Sequence, residues 1–296
     1  MTILSQFSRL SQFSQCLPRL LAVCGLSLCG LLGSALAGQA AEDGSDSFKV
    51  GIAPHTSARV IIEQYQPVRQ ALEKALGVPV EILTAPDFTE FARRAVHQDY
   101  DIAITTGHQA RLLEADAGYK PLVTYLAEFK SVTVVPLSSA AKQPHDLDNT
   151  TVIGLSPSSL VTIWGQHWLA ENKIANFQIR YVSAADSVAQ LLLAGDASAG
   201  FMSLANFQGL SPETRAQLRF LAESPSMAGR VYMLNGSQAA KHDKIVKALQ
   251  DFAQTDAGKQ YFDSTKLSGY RLIRPGELEA MEPYANEVRQ VLKNGK

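Results

Sequence analysis

The residues of this chain best suited to ligand chemistry are hydroxyl and imidazole side chains that follow short apolar runs. Hydroxyl groups and protonated imidazoles donate hydrogen bonds to oxyanions. If a fold gathers these side chains, they predict a ligand-binding site for a small anion. Four places carry them: His55 and Thr56, Thr106 and His108, Ser156 with Ser158 and Ser159, and Ser203.

The serine-rich turn at 156–159 carries the strongest of these signals, because a helical stretch follows it as far as Glu171. Free amide N–H groups at a helix N-terminus, together with serine hydroxyls, bind phosphate-like oxyanions. Serine is also a common N-cap, so simple capping of the helix is the alternative interpretation.

His55 and His108 each follow a predicted strand, and both are candidate donors to an anion; two surface-loop histidines are the alternative. The six histidines show no spacing typical of metal ligands, so we expect no metal and no cofactor. The motifs GxSxG, GxxxxGK[ST] and GxGxxG are missing from the sequence, which argues against an enzyme. Lys130 is a further candidate cation.

Composition excludes several classes of protein. The 296 residues are 46% hydrophobic and 19% charged, with a formal net charge of -1. Such a chain can build a globular core and has no basic excess for nucleic acid or a membrane surface. We therefore expect a small-molecule partner rather than a nucleic acid, and a monomer.

The first 37 residues have the pattern of a secretory signal peptide. Arg9 and Arg19 precede an apolar run, and small residues follow it. We predict cleavage after Ala37, with Ala40 as the alternative, and hence a periplasmic protein; an uncleaved anchor is the competing interpretation. Lipid attachment at Cys24 or Cys29 is weakly supported, because neither cysteine follows a small residue.

Beyond the leader, apolar runs and helical periodicity alternate along the chain. Strands separated by helices of ten to fifteen residues are typical of βαβ units and a mainly parallel sheet. The predicted strands cover 48–53, 80–83, 101–105, 122–126, 131–136, 151–155, 177–182, 199–202, 218–221 and 230–234, and the predicted helices cover 58–76, 87–96, 109–115, 158–171, 184–194, 238–255 and 276–292.

This order predicts an α/β protein of two lobes. Residues 48–133 and 230–296 form the first predicted lobe, and residues 134–229 form the second. Two extended segments, Ser131–Pro136 and Arg230–Leu234, are predicted to cross between the lobes. Two lobes joined by two β-crossovers make a hinged clamp.

Several segments together resemble the phosphate/phosphonate-type periplasmic substrate-binding proteins of ABC importers. The resemblance extends over most of residues 48–275. The segments are KVGIAPHTSA (49–58), GVPVEILTAPDFTEF (77–91), YDIAITT (100–106), SVTVVP (131–136), VIGLSPSSL (152–160), LLLAGDASAGFMS (191–203) and LAESPSMAGRVYML (221–234).

The resemblance implies a type II periplasmic binding protein that closes on a small ligand and delivers it to a membrane permease. The alternative is a ligand-sensing subunit that signals to a membrane histidine kinase or similar receptor. Two departures bear on the ligand: His55 stands where the family usually has a tyrosine, and Ser198 stands where it has an aspartate that holds an amino group. A bare oxyanion, or an unrelated small ligand, is therefore expected in preference to an aminophosphonate.

Overall fold

A computed structural model describes residues 47–295 of the chain. The predicted signal peptide, its cleavage after Ala37 and lipid attachment at Cys24 or Cys29 lie outside the described residues. Within those residues, no helix is both long enough and apolar enough to cross a membrane.

Eleven strands of the described part form two separate sheets. The first sheet has six strands in the order β11-β4-β10-β3-β1-β2, and the second has five in the order β7-β6-β8-β5-β9. The strands are β1 Phe48–Ile52, β2 Val80–Thr84, β3 Ile102–Thr106, β4 Lys120–Tyr125, β5 Ser131–Pro136, β6 Thr150–Gly154, β7 Phe177–Tyr181, β8 Ala199–Ser203, β9 Leu218–Glu223, β10 Arg230–Leu234 and β11 Tyr270–Arg271.

Helices connect the strands and cover the sheets. Short 3₁₀ turns at Pro144–Leu147, Gly236–Lys241 and Glu279–Met281 complete the secondary structure. The α-helices are α1 Ala58–Gln64, α2 Gln66–Leu76, α3 Phe88–Val96, α4 Gly107–Asp116, α5 Leu160–Glu171, α6 Ala185–Leu193, α7 Leu204–Gly209, α8 Pro212–Arg215, α9 His242–Gln254, α10 Asp256–Thr265 and α11 Glu282–Asn294.

The two sheets are mixed, whereas the sequence predicts mainly parallel ones. Strands β1, β2 and β3 pair in parallel, as do β6, β7 and β8. Strand β10 is antiparallel to both β3 and β4, and β5 is antiparallel to both β8 and β9. Each strand that follows a crossing therefore enters its sheet against the direction of the parallel strands.

The chain crosses between the sheets twice, in residues 126–130 and again in residues 224–229. These two segments lie side by side, joined by an antiparallel bridge between Phe129 and Met227. The strands predicted to cross, Ser131–Pro136 and Arg230–Leu234, are inner strands of the second and the first sheet. The predicted domain limits stay a prediction. Below, the first lobe means the six-stranded sheet with its helices, and the second lobe means the five-stranded sheet with its helices.

Several helical regions differ from their sequence-based prediction, which lacks the short helices α7 and α8. The predicted helix 58–76 is two helices that meet at Tyr65, because Pro67 in the first turn of α2 has no N–H to continue the ladder. Helix α10 is missing from the prediction, although Thr255 caps it by accepting a hydrogen bond from the Gly258 amide.

The last helix, α11, holds the two lobes together on one side. It packs mainly against α4 and also contacts α3 of the first lobe and α5 of the second. A buried apolar cluster is shared by these four helices: Ala92, Leu112, Ile163, Ala285 and Val288. The core of the protein therefore continues from one lobe to the other beside the predicted binding turns.

Candidate ligand-binding site

A small cavity of about 20 Å³ lies between the lobes, where the carboxyl ends of the parallel strands face each other. Ligands of open α/β sheets bind at such strand ends. The volume is enough for about one water molecule, so the lobes are shut around it. The cavity is lined by His55, Phe88, Thr106, Phe129, Leu155, Ser159, Leu160, Val161, Ser203, Asn206 and Arg230.

The N-terminus of helix α5 forms one wall of this cavity. The amide N–H groups of Leu160 and Val161 have no hydrogen-bond acceptor within residues 47–295. Ser159 occupies the N-cap position, yet its side chain makes no capping hydrogen bond. The hydroxyl and the two amides are thus available to a ligand, and the partial positive charge of the helix end favours an anion.

The guanidinium of Arg230 supplies the positive charge of the site. Arg230 begins strand β10, is half-buried and lines the cavity. No carboxylate of the described chain lies within salt-bridge distance of it. A partly buried arginine without a counter-ion faces the free helix end, which is the arrangement that an oxyanion would complete.

His55 lies on the opposite side from α5, in the turn after β1. It is 8% exposed, and its Nδ1 donates to the carbonyl oxygen of Ala53 at 3.0 Å. Burial, and then the positive charge of Arg230, lower its pKa to about 3. His55 is therefore neutral at pH 7, where the sequence-based hypothesis makes it a charged donor.

His108 is fully buried and bridges the two lobes. Its Nε2 donates to the Ser158 carbonyl oxygen at 2.9 Å, so its Nδ1 accepts from the Thr106 hydroxyl at 3.1 Å. Burial lowers its pKa to about 4, and the ring is neutral. Both nitrogens are occupied, so His108 holds the serine turn in place and has no hydrogen bond left to donate to an anion in this form.

Ser158 is the point at which the serine turn meets the first lobe. Its hydroxyl lies 2.9 Å from the Thr89 hydroxyl, and its carbonyl oxygen also lies 3.4 Å from the Gln109 amide nitrogen. A separate contact closes the far side, where the Asn206 amide donates to the His55 carbonyl oxygen at 3.2 Å. These bonds join the lobes directly around the cavity.

A second cavity, of about 180 Å³, adjoins the first and shares His55, Asn206 and Arg230 with it. It also contains Thr56 and Gln64 from the first lobe. Its contribution from the second lobe includes the exposed carboxylate of Asp186. The pair of cavities offers a narrow end and a wider outer end.

The structure brings the eight predicted residues to one region, but in different roles. His55, Thr106, Ser159 and Ser203 line the small cavity, and Thr56 lines the adjoining one. His108, Ser156 and Ser158 lie behind the lining, where Ser158 is bonded to both other residues.

Sequence reasoning missed Arg230 and Asn206, and it pointed to Lys130 as a cation. The Lys130 ammonium instead pairs with Glu223 at 2.8 Å and lies outside the small cavity. The one sequence signal for Arg230 is its place at the start of β10, directly after the second crossover segment 224–229. No group of three or more His, Cys, Asp and Glu side chains arranged for a metal occurs between residues 47 and 295.

The comparisons with known proteins show the family and the fold of the chain. Residues 50–277 match the family model described as the periplasmic substrate-binding protein of ABC phosphonate transporters. The chain belongs to this family. The family consists of transporter components located in the periplasm, and nothing in the comparisons favours the sensing alternative. No curated protein sequence matches the chain.

Solved structures show the same two-lobed fold. PhnD1 from Prochlorococcus marinus in complex with methylphosphonate aligns with a TM-score of 0.72 at 16% identity, covering 82% of this chain and 98% of that one. The binding protein component of an ABC phosphonate transporter from Pseudomonas aeruginosa has a TM-score of 0.72 at 15% identity, covering 84% and 93%. XAC2383 from Xanthomonas citri, bound to chloride ion, has a TM-score of 0.69 at 19% identity, covering 83% and 99%. The predicted type II binding-protein fold is confirmed.

Proposed function

We propose that this protein binds a small phosphonate or phosphate-like oxyanion between its lobes and delivers it to the permease of an ABC importer. The observation that carries the proposal is that the Leu160 and Val161 amides and the Arg230 guanidinium line one cavity, and that none of these groups has an acceptor or counter-ion among residues 47–295. Family membership supports the transport role.

The charges around the cavity support an anion rather than a cation or a neutral solute. Arg230 is the charged side chain that lines the small cavity, and the helix end adds partial positive charge. Asp186 is the one carboxylate among the described residues that line the two cavities, and it is exposed in the outer one. An oxyanion head in the narrow end would lie beside the positive charge, and any substituent would extend toward the wider end, where the carboxylate is.

Closure follows from which lobe supplies each contact. The second lobe supplies the α5 amides and Ser159, whereas the first supplies Arg230 and His55. A ligand that needs both sets binds the shut form more tightly than the open form, and so shifts the population toward it. The hydrogen bonds of Ser158 and Asn206 between the lobes stabilise the same shut form.

A head group the size of phosphate exceeds the 20 Å³ of the small cavity. Its entry requires the lobes to part slightly around the crossover segments 126–130 and 224–229. The permease would then distinguish a shut, loaded protein from an open, empty one.

A thermal-shift screen of the mature protein tests the proposal. Phosphate, phosphite, methylphosphonate, sulfate and methanesulfonate are each added as sodium salts, against sodium chloride of equal ionic strength. A ligand at about a hundred times Kd adds roughly 2.7 kcal/mol, which raises Tm by about 5 to 10 °C in a chain of this size. A flat response to every phosphorus oxyanion would contradict the proposal.

A further inference from the structure

The buried imidazole of His55 carries an unused hydrogen-bond acceptor beside the proposed anion site. Its Nδ1 is committed as a donor to the Ala53 carbonyl oxygen, which places the remaining lone pair on Nε2. Nε2 is buried and has no hydrogen-bond partner anywhere in the described chain. A buried polar atom without a partner is costly, and such an atom in a cleft points to a ligand group that completes it.

The groups around His55 keep this nitrogen an acceptor. Arg230, the first residue of β10, disfavours a positive charge on the ring and so lowers its pKa. The Tyr65 ring packs edge-on at 6.2 Å between centroids. The Gln64 side chain favours a proton on the imidazole and so raises its pKa, but this effect is weaker than those of burial and Arg230. Asp186 is the exposed carboxylate of the outer cavity.

We infer that the site selects oxyanions that carry a proton, and that the Nε2 of His55 accepts the ligand's P–O–H group. The inference rests on the proposed function and names its substrate class: hydrogen phosphate and hydrogen phosphonates. Arg230 balances the single negative charge of a hydrogen phosphonate, and the N-terminus of α5 adds partial positive charge for the doubly charged hydrogen phosphate. Sulfate and alkyl sulfonates have no proton at neutral pH, so their oxygens would face the lone pair of Nε2 and leave it unsatisfied.

The selectivity of the wild-type protein provides the first test. Methylphosphonate and methanesulfonate are nearly the same shape and differ in whether an oxygen can keep a proton. Isothermal titration at pH 6 should give a Kd for methylphosphonate lower by about 10-fold to 100-fold, the range expected when a buried acceptor is left unpaired. Above the second pKa of methylphosphonate, its affinity for the protein should fall by about tenfold per pH unit, because the ligand must take up one proton in order to bind.

A variant tests the residue itself. His55→Gln replaces the acceptor with an amide that can donate, and should lower the preference for methylphosphonate over methanesulfonate by about tenfold while flattening the pH profile. His145→Gln, at an exposed histidine of the second lobe, is the matched control and should retain wild-type values.

The possible failures are distinguishable. If neither ligand binds the wild-type protein, the proposed function falls and this inference falls with it. If both bind equally tightly, or if phosphonate affinity does not change with pH, the inference is overturned while the proposed function stands. The wild-type measurements decide this even if His55→Gln does not fold.

Discussion

The sharpest prediction concerns Arg230, the unpaired cation of the cavity. Arg230→Gln removes the positive charge and keeps a polar side chain of moderate length. Because the guanidinium has no ion-pair partner in the described residues, its loss breaks no salt bridge. We therefore expect the ligand-free protein to keep its Tm within about 2 °C, as for a substitution worth about 0.5 kcal/mol or less.

The effect on binding should be much larger. A hydrogen bond between an arginine and an anion contributes about 1.5 to 3 kcal/mol net. Arg230 is half-buried and lines a cavity of about 20 Å³ that admits little water, so the upper part of that range applies. A loss of about 2 to 3 kcal/mol corresponds to a Kd for methylphosphonate raised by about 30-fold to 150-fold.

Isothermal titration of wild type and Arg230→Gln with methylphosphonate measures this loss. Lys130→Gln is the matched control, because it removes a cation near the crossover that pairs with Glu223 and lies outside the small cavity. Its Kd should stay within about twofold of wild type. Equal affinities for wild type and Arg230→Gln, or a larger loss in Lys130→Gln, would refute the assignment of the cation.

Three further predictions follow from the same geometry. Because burial lowers the pKa of His55 to about 3 and of His108 to about 4, the unfolded chain takes up these protons first, and stability is lost as pH falls from 6.5 toward 4. Urea unfolding measures how far the free energy of unfolding falls between pH 7 and pH 4.5. This fall should be smaller in His108→Gln than in wild type, by on the order of 2 kcal/mol. An identical fall in the two proteins would contradict a neutral buried ring. Ser159→Ala should raise the Kd for methylphosphonate by about 3-fold to 10-fold at unchanged Tm, whereas a lower Tm with unchanged Kd would assign the hydroxyl to capping alone. Gly107→Ala would place a Cβ 2.4 Å from that of Ala228. This substitution should lower the free energy of unfolding in urea by about 1 to 3 kcal/mol. An unchanged urea midpoint would show that the crossover segment moves away from the new Cβ without cost.

The elements that could be predicted from the sequence are those with a local signal. The apolar run FKVGI and the Asp87 cap of α3, which accepts from the Thr89 and Glu90 amides, lie where the pattern puts them. Helix α10 was missing from the prediction because its place in the core depends on Tyr261 and Phe262, which pack against residues distant in the sequence. The antiparallel entry of β5 and β10 likewise depends on pairing between strands far apart in the chain.

The candidate site was predictable in its place but not in its roles. Polar residues after parallel strands meet at one edge of a sheet, which is why all eight predicted residues lie near the cleft. Which of them face the cavity depends on bonds between the lobes, such as that of His108 to the Ser158 carbonyl oxygen. The same holds for the protonation of His55, which burial and Arg230 set together.

By itself, the amino-acid sequence determined the family, the alternation of strands and helices, and the serine turn that precedes α5, because each of these depends on short segments of neighbouring residues. Only the tertiary structure decided that Arg230 supplies the charge, that His108 joins the lobes and that His55 presents a lone pair. Those properties arise when residues fifty or more positions apart are brought together and water is excluded between them.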